Sequence, residues 1–297
     1  MYVYGNSMFL ATHGILARGG APSPSLLLDT YSGASAAYSL RRLSSTYTGN
    51  AIRVRRSSGI PAEQDIGFVN NVLDTASLLT FCGAGDGFVT TWYDQSGNAL
   101  NSSMSTAAYQ PRIVNGGVLD VKNLKAGFRF DGVDDYLTRT ALPALNSGNT
   151  YSIFSVAANE DTEIFKDILN TTSVNNFRLN LAVDTRTTGG VYRIGSVTNT
   201  SNTIYPIDLA AADGSSNQRL QTMVVNGFNM AGWKNGVAGS TNTFTGSYNN
   251  QILTIGSFLN LSRYLKGYIQ ELVIYPSNQT TNRTAIESNI NSYYTIY

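Results

Sequence analysis

The sequence predicts an all-β fold, a two-layered antiparallel sandwich carrying one or two short peripheral helices. Three observations point there. Short runs alternate apolar and polar residues, turn signals separate those runs, and 28 glycines are spread along 297 residues of which only 13% are charged, against about 25% in an average soluble domain. One sandwich can absorb this length.

Taken in chain order, residues 1–25 read as an arm and residues 26–297 as a single sandwich domain. The arm holds Tyr2, Tyr4, Phe9, Leu10, Ile15 and Leu16 ahead of an Ala21-Pro22-Ser23-Pro24 boundary. It is as apolar as a core segment yet too short to fold alone, so its side chains need a partner surface. Beyond it, Tyr151 to Val156, Phe177 to Val183 and Gln251 to Ile255 each show period two, the pattern of strands with one buried face. Between Gln221 and Gly239, Asn226-Gly227 and Asn235-Gly236 supply the positive φ angles that tight hairpins require, which predicts consecutive antiparallel strands. Two stretches carry helical spacing instead: Ile66 to Leu79, with Ile66, Val69, Val72, Leu73 and Ala76, and Thr281 to Tyr294, with Ala285, Ile286, Ile290 and Tyr293.

Composition excludes several chemistries. Lys+Arg 20 against Asp+Glu 19 leaves a net charge of +1 and no field to attract nucleic acid. No run approaches the ~18 apolar residues of a membrane span, and Met8 to Ala11 lacks the basic flank of a signal peptide. Cys82 is the one cysteine, which rules out an internal disulfide and a thiolate zinc site. His13 is the one histidine and lies in the arm, so a His-based triad is not expected.

Candidate sites are few. Asp131, Asp134 and Asp135 stand at a turn within Phe128 to Leu137, where their oxygens can converge on calcium. A plain turn, in which Asp131 and Gly132 reverse the chain and the other two face water, accounts for the same residues and is preferred. Glu160, Asp161 and Glu163 are the nearest thing to a glycosidase's carboxylate pair, but Asn159 to Thr162 reads as a solvated turn. Gly83 to Gly87 lacks the Lys-Ser/Thr of a phosphate loop and precedes a strand, Phe88 to Trp92. Arg53 and Arg55 share a strand face and are expected to pair internally. The 18 Tyr, 12 Phe and 2 Trp suit a core, with some rings left for stacking on sugars.

Two family resemblances rest on these motifs. Phe128-Arg129-Phe130-Asp131-Gly132, together with Leu265 to Tyr275 and its trailing helix, resembles the concanavalin A-like, laminin-G-type jelly roll. Ala36 to Leu43, Ala51 to Arg56 and Trp92-Tyr93-Asp94-Gln95-Ser96-Gly97-Asn98 are similar to the opening of the arabinofuranosidase B catalytic domain. That resemblance implies a sugar site shaped by adjacent cysteines, which this chain lacks, and a catalytic Glu and Asp that match no motif after Gly97. The ending Thr284 to Tyr294 resembles jelly-roll proteins encoded by bacteriophages. The resulting expectation is a non-enzymatic virion surface protein, a head fibre or tail appendage without a cofactor. It would dock on other virion proteins through the arm, assemble with its own copies, as a trimer, and bind cell-surface carbohydrate. The alternatives are an arabinofuranosidase-type glycoside hydrolase and a host-encoded lectin.

Overall fold

The strands form two layers whose pairing is continuous through Arg112–Asn115, which meets both Gly87–Trp92 and Phe128–Asp131. The computed structural model describes residues 25–59, 62–140, 150–161, 165–172, 178–184, 192–198, 201, 203–209, 217–246, 252–258 and 263–297. In the front sheet the strands run Glu63–Ile66, Ile52–Arg56, Gly87–Trp92, Ser102–Ser103, Leu137–Arg139, Ile252–Ile255, Phe165–Thr172, Arg178–Asp184, Tyr192–Thr198, Ile204–Leu209, every neighbouring pair antiparallel. In the back sheet Lys266–Tyr275 has Ala36–Ser39 and Phe128–Asp131 along one edge and Thr150–Asn159 along the other. Arg219–Asn226, Asn229–Lys234 and Val237–Thr243 follow. This is an all-β jelly-roll sandwich, as the sequence predicts. An early strand and a late one share a ladder, Ala36 opposite Ile274.

The core between the sheets includes Trp92, Phe128, Ile153, Leu181 and Met223, with the Trp92 and Phe128 rings 4.6 Å apart. A second cluster covers the outer face of the back sheet. There Phe154, Val156, Leu220 and Val273 meet Ile286, Ile290 and Tyr294 of a helix, Arg283–Tyr294. Fully burying each such side chain is worth ~1.5–3 kcal/mol, which explains why a helix with so polar an opposite face stays on the sheet. Beneath it, Glu271 is fully buried and receives Arg41 Nε at 2.8 Å and Ser39 Oγ at 2.7 Å. The C-terminal segment is thus a structural clasp.

The predicted helix over Ile66 to Leu79 needs correction. Its first half is strand and hairpin: Ile66 ends the Glu63–Ile66 strand, and Phe68–Val69 pairs with Val72–Leu73. Asn70 and Asn71 turn the chain at φ 50° and 64°, in the left-handed region that Asn tolerates. Only Thr75–Cys82 is helical, capped by Asp74, whose side chain accepts from Ser77 N at 3.0 Å. A hairpin followed by a helix start mimics 3.6-residue spacing. A third helix, Leu27–Thr30, is a single turn against the C-terminal one.

Candidate functional site

The motif that stands out most in the sequence is scaffold. Asp94 Oδ1 accepts from Ala37 N (2.8 Å) and Ser96 N (2.9 Å), and Oδ2 from Ser96 Oγ (2.7 Å) and Leu100 N (3.0 Å). Gln95 donates to the Ser39 and Arg41 carbonyls and accepts from Leu43 N, while Asn98 Nδ2 donates to the Ala34 and Ser35 carbonyls. Tyr-Asp-Gln-Ser-Gly-Asn therefore fastens the Ala36–Ser39 strand and the loop after it.

The acidic turn forms, but Asp135 is buried in it and does not face water as the plain-turn reading expects. Asp131 Oδ1 accepts from Val133 N at 2.7 Å, and Asp135 Oδ2 accepts from Asp131 N at 2.9 Å. The structure brings Asp131, Asp134 and Asp135 together, one oxygen of each within 4.8 Å of the others. Asp135 is buried, and that burial, reinforced by the Asp131 charge, pushes its carboxyl up to about 7. A cavity of about 420 Å³ opens beside them, lined by Gln110, Arg112 and Arg129 among others. Both arginines are engaged, Arg112 by Asp120 at 2.8 Å and Arg129 by Glu160 at 2.9 Å.

The other predicted acids are likewise in ion pairs. Glu160 also meets Lys122, and Asp161 meets Lys166 at 3.3 Å. Arg53 pairs with Glu63 and Asp65, as expected of internal pairing. Glu163, His13 and the arm residues Tyr2, Tyr4, Phe9, Leu10, Ile15 and Leu16 lie outside the described residues.

The front sheet holds a group of residues not singled out from the sequence. In Arg178–Asp184, Leu179 and Leu181 enter the core, which turns Asn180 to the opposite face. Asn170 is its partner across the ladder, and Ser196 faces it from the other side. Asp167 is opposite Ala182 on the same face, because a bulge at Ile168 absorbs the extra residue. Gly195 lets the strands close here, since a Cβ at that position would sit 2.4 Å from the Asn180 carbonyl oxygen. From the back sheet, Gln221 reaches through and donates to the Ala182 carbonyl.

Residues on an outer face are usually wet, yet Asp167 and Asn170 are 0% exposed and Asn180 is 4% exposed. Among the described residues, both carboxylate oxygens of Asp167 and all four side-chain amide atoms of the two asparagines lack a hydrogen-bond partner, as does buried Ser257 Oγ just past the Ile252–Ile255 strand. Arg263 Nε lies 3.0 Å from Asp167 Oδ2, a charge contact without hydrogen-bond geometry, and its guanidinium stacks on Phe258 at 3.7 Å. Burial drives Asp167 up to about 7 against the opposing pull of Arg263 and Lys166. Each unpartnered buried group costs about 1–3 kcal/mol, and native folds carry few of them. Their concentration on one face singles out this patch as the candidate site.

No family model matches this chain, and no curated protein does. Solved structures do. An arabinofuranosidase complexed with arabinofuranosyl-alpha-1,2-xylobiose superposes with a TM-score of 0.61 at 15% identity, over 89% of this chain and 64% of that one. A GH54 α-L-arabinofuranosidase soaked with a cyclic sulfate inhibitor gives 0.57 at the same identity and coverage. This chain thus spans about two-thirds, 64%, of the length of each. These likenesses show the sandwich fold. They also overturn the expectation of a non-enzymatic protein: the architectures that superpose on most of this chain include glycosidases, so an unmatched catalytic motif and a histidine confined to the arm do not exclude hydrolysis.

Proposed function

We propose that the protein is a carbohydrate-active sandwich of the arabinofuranosidase type, which takes the terminal sugar of a neutral glycan at Asp167, Asn170 and Asn180. The observation that carries this reading is the set of unpartnered polar atoms buried together on the front sheet. Amide groups that offer both donors and acceptors complement sugar hydroxyls, which do the same. Asp167, held protonated up to about pH 7 by burial, is suited to give its proton to the departing glycosidic oxygen as the bond to the anomeric carbon breaks. Water then adds at that carbon and gives up a proton to the Asp167 carboxylate, which restores the acid.

The test is turnover of 4-nitrophenyl α-L-arabinofuranoside. Wild type is expected to release nitrophenol, Asp167→Asn to lose roughly 10²–10⁴-fold in kcat, and Asn180→Ala to raise KM, with melting intact in both. No turnover by wild type on this substrate or on arabinoxylan would overturn the hydrolase reading. Calorimetric glycan binding without turnover would then favour the lectin alternative. A virion role docked through the arm is a separate proposal, tested by whether deletion of residues 1–24 abolishes particle incorporation while melting is unchanged.

A further inference from the structure

The C-terminal helix covers only part of the back sheet. Its first turn sits where Arg283 stacks on Trp233 and Glu287 accepts from Thr222 Oγ1, and Thr222 and Trp233 are register partners. One step further along the same face, Val224 lies opposite Ala231, then Asn226 opposite Asn229. A groove of about 600 Å³ opens there, walled on one side by the loop carrying Asn278 and Thr280 and on the other by Thr241 of the next strand.

We propose that this groove is a second carbohydrate site, distinct from the front patch, which binds a neutral oligosaccharide. Its lining among the described residues contains no charged side chain, so an ionic ligand would find no counter-charge there. The donors are arranged for hydroxyl groups. Asn229 Oδ1 accepts from Thr243 Oγ1 at 3.1 Å and Asn278 Oδ1 from Thr280 N at 3.0 Å, so the amide oxygens are fixed while the Nδ2 groups of both line the groove with the Asn226 amide. Val224 and Ala231 give the floor an apolar strip for the C–H face of a sugar ring.

The walls are also fixed in advance. Buried Ser152 donates through Oγ to the Ser277 carbonyl at 2.9 Å and accepts from Gln279 N at 2.9 Å, so the 277–280 loop is tied to the sheet beneath it. The opposite wall belongs to a three-strand antiparallel meander, Arg219–Asn226, Asn229–Lys234 and Val237–Thr243, with one bulge between Ala231 and Trp233. A groove whose polar groups are already positioned loses little conformational freedom on binding.

Linear unsubstituted xylan and mannan are suitable probes, because both are neutral and neither carries the arabinofuranoside end assigned to the front patch. Retention of the full chain is measured by affinity electrophoresis in gels containing each polymer. Wild type is expected to be retarded by at least one of them, and the double variant Asn226→Ala/Asn278→Ala to lose about tenfold in affinity. That variant should keep its melting temperature and its turnover of 4-nitrophenyl α-L-arabinofuranoside. Thr241→Arg, which fills the groove from an exposed strand position, should abolish retardation in the same way. The proposal is overturned if wild type is retarded by neither polymer, if both variants are retarded like wild type, or if Asp167→Asn alone removes retardation. Because nitrophenol release reads the front patch and retardation reads the groove, each can fail without the other.

Discussion

Asp94 and Asp167 are both buried carboxylates in the same protein, 3% and 0% exposed, and their surroundings are opposite. Asp94 accepts four hydrogen bonds at 2.7–3.0 Å from two segments of the chain. Asp167 accepts none from the described residues. The first belongs to the best sequence motif in the protein and holds the fold together. The second belongs to no motif and is maintained at a cost to the fold. A motif visible in sequence consists of contiguous residues, even where, as with Asp94 and Ala37, it fastens a strand 57 residues away, whereas a binding surface on a sheet is assembled from single residues of several strands.

The comparison breaks first at Asp94. Asp94→Ala removes the acceptor for three strand or loop amides and one hydroxyl, leaving buried donors unpaired, and should cost about 3–5 kcal/mol in urea denaturation. Whatever fraction folds should hydrolyse arabinofuranoside at the wild-type rate per folded molecule. If Asp94→Ala were as stable as wild type but inactive, the roles assigned to the two carboxylates would have to be exchanged.

Asp167→Asn should act in the opposite sense. A carboxyl raised from 3.8 to about 7 in the fold favours the folded state in its protonated form. Its contribution is fully present below pH 3.8 and is lost as pH rises toward 7 and beyond. The shift of about three units corresponds to a loss on the order of 4 kcal/mol above pH 7. The variant should therefore be more stable than wild type at pH 8, have a flatter stability profile between about pH 4 and 7, and lose turnover. Stability gained together with activity lost is the signature expected of a group kept for chemistry.

Much of the fold was legible because its signals are local. Asn226-Gly227 and Asn235-Gly236 announced the meander, Phe128 to Leu137 announced a strand, turn and strand, and Ile286 and Ile290 marked a helix. The helix expected over Ile66 to Leu79 failed at Asn70-Asn71, whose capacity for positive φ was the available signal. The front patch was hidden for a different reason. Asn180 between Leu179 and Leu181 reads as an ordinary wet position of a half-buried strand, and nothing nearby in sequence says that the outer face is enclosed. The pairing of Asn170 with Asn180 and the bulge that brings Asp167 onto their face are properties of the assembled sheet.

Asp135 lies between the two extremes. It too is raised to about 7, chiefly by burial, but one of its oxygens is engaged by Asp131 N. Asp135→Asn keeps an acceptor for that amide, so the turn should survive. The pH dependence should flatten in the same direction as for Asp167→Asn and by a similar amount, on the order of 4 kcal/mol above pH 7, but arabinofuranoside turnover should be unchanged. An activity loss equal to that of Asp167→Asn would move the catalytic role to the acidic turn.

The smallest expected effect is that of calcium, and it decides whether the acidic turn is more than a turn. A cation that binds only the fold stabilises it by RT ln(1 + [L]/Kd), so 2 mM calcium with a Kd near 20 μM would add about 2.7 kcal/mol. Asp131 uses one oxygen on Val133 N and Asp134 N, and Asp135 uses one on Asp131 N. Those bonds already close the loop, whereas a calcium site takes six to eight oxygens. The melting temperature is therefore expected to be the same in 2 mM calcium and in chelator, at pH 6 and at pH 8. The second pH matters because a bound cation would hold Asp135 ionised and reverse the upward shift that burial imposes, so calcium stabilisation growing from pH 6 to pH 8 would be its mark. Such a rise, abolished by Asp134→Asn, would establish the turn as a metal site and leave Asp167 as the one buried carboxyl of this protein held near neutrality without a hydrogen-bond partner among the described residues.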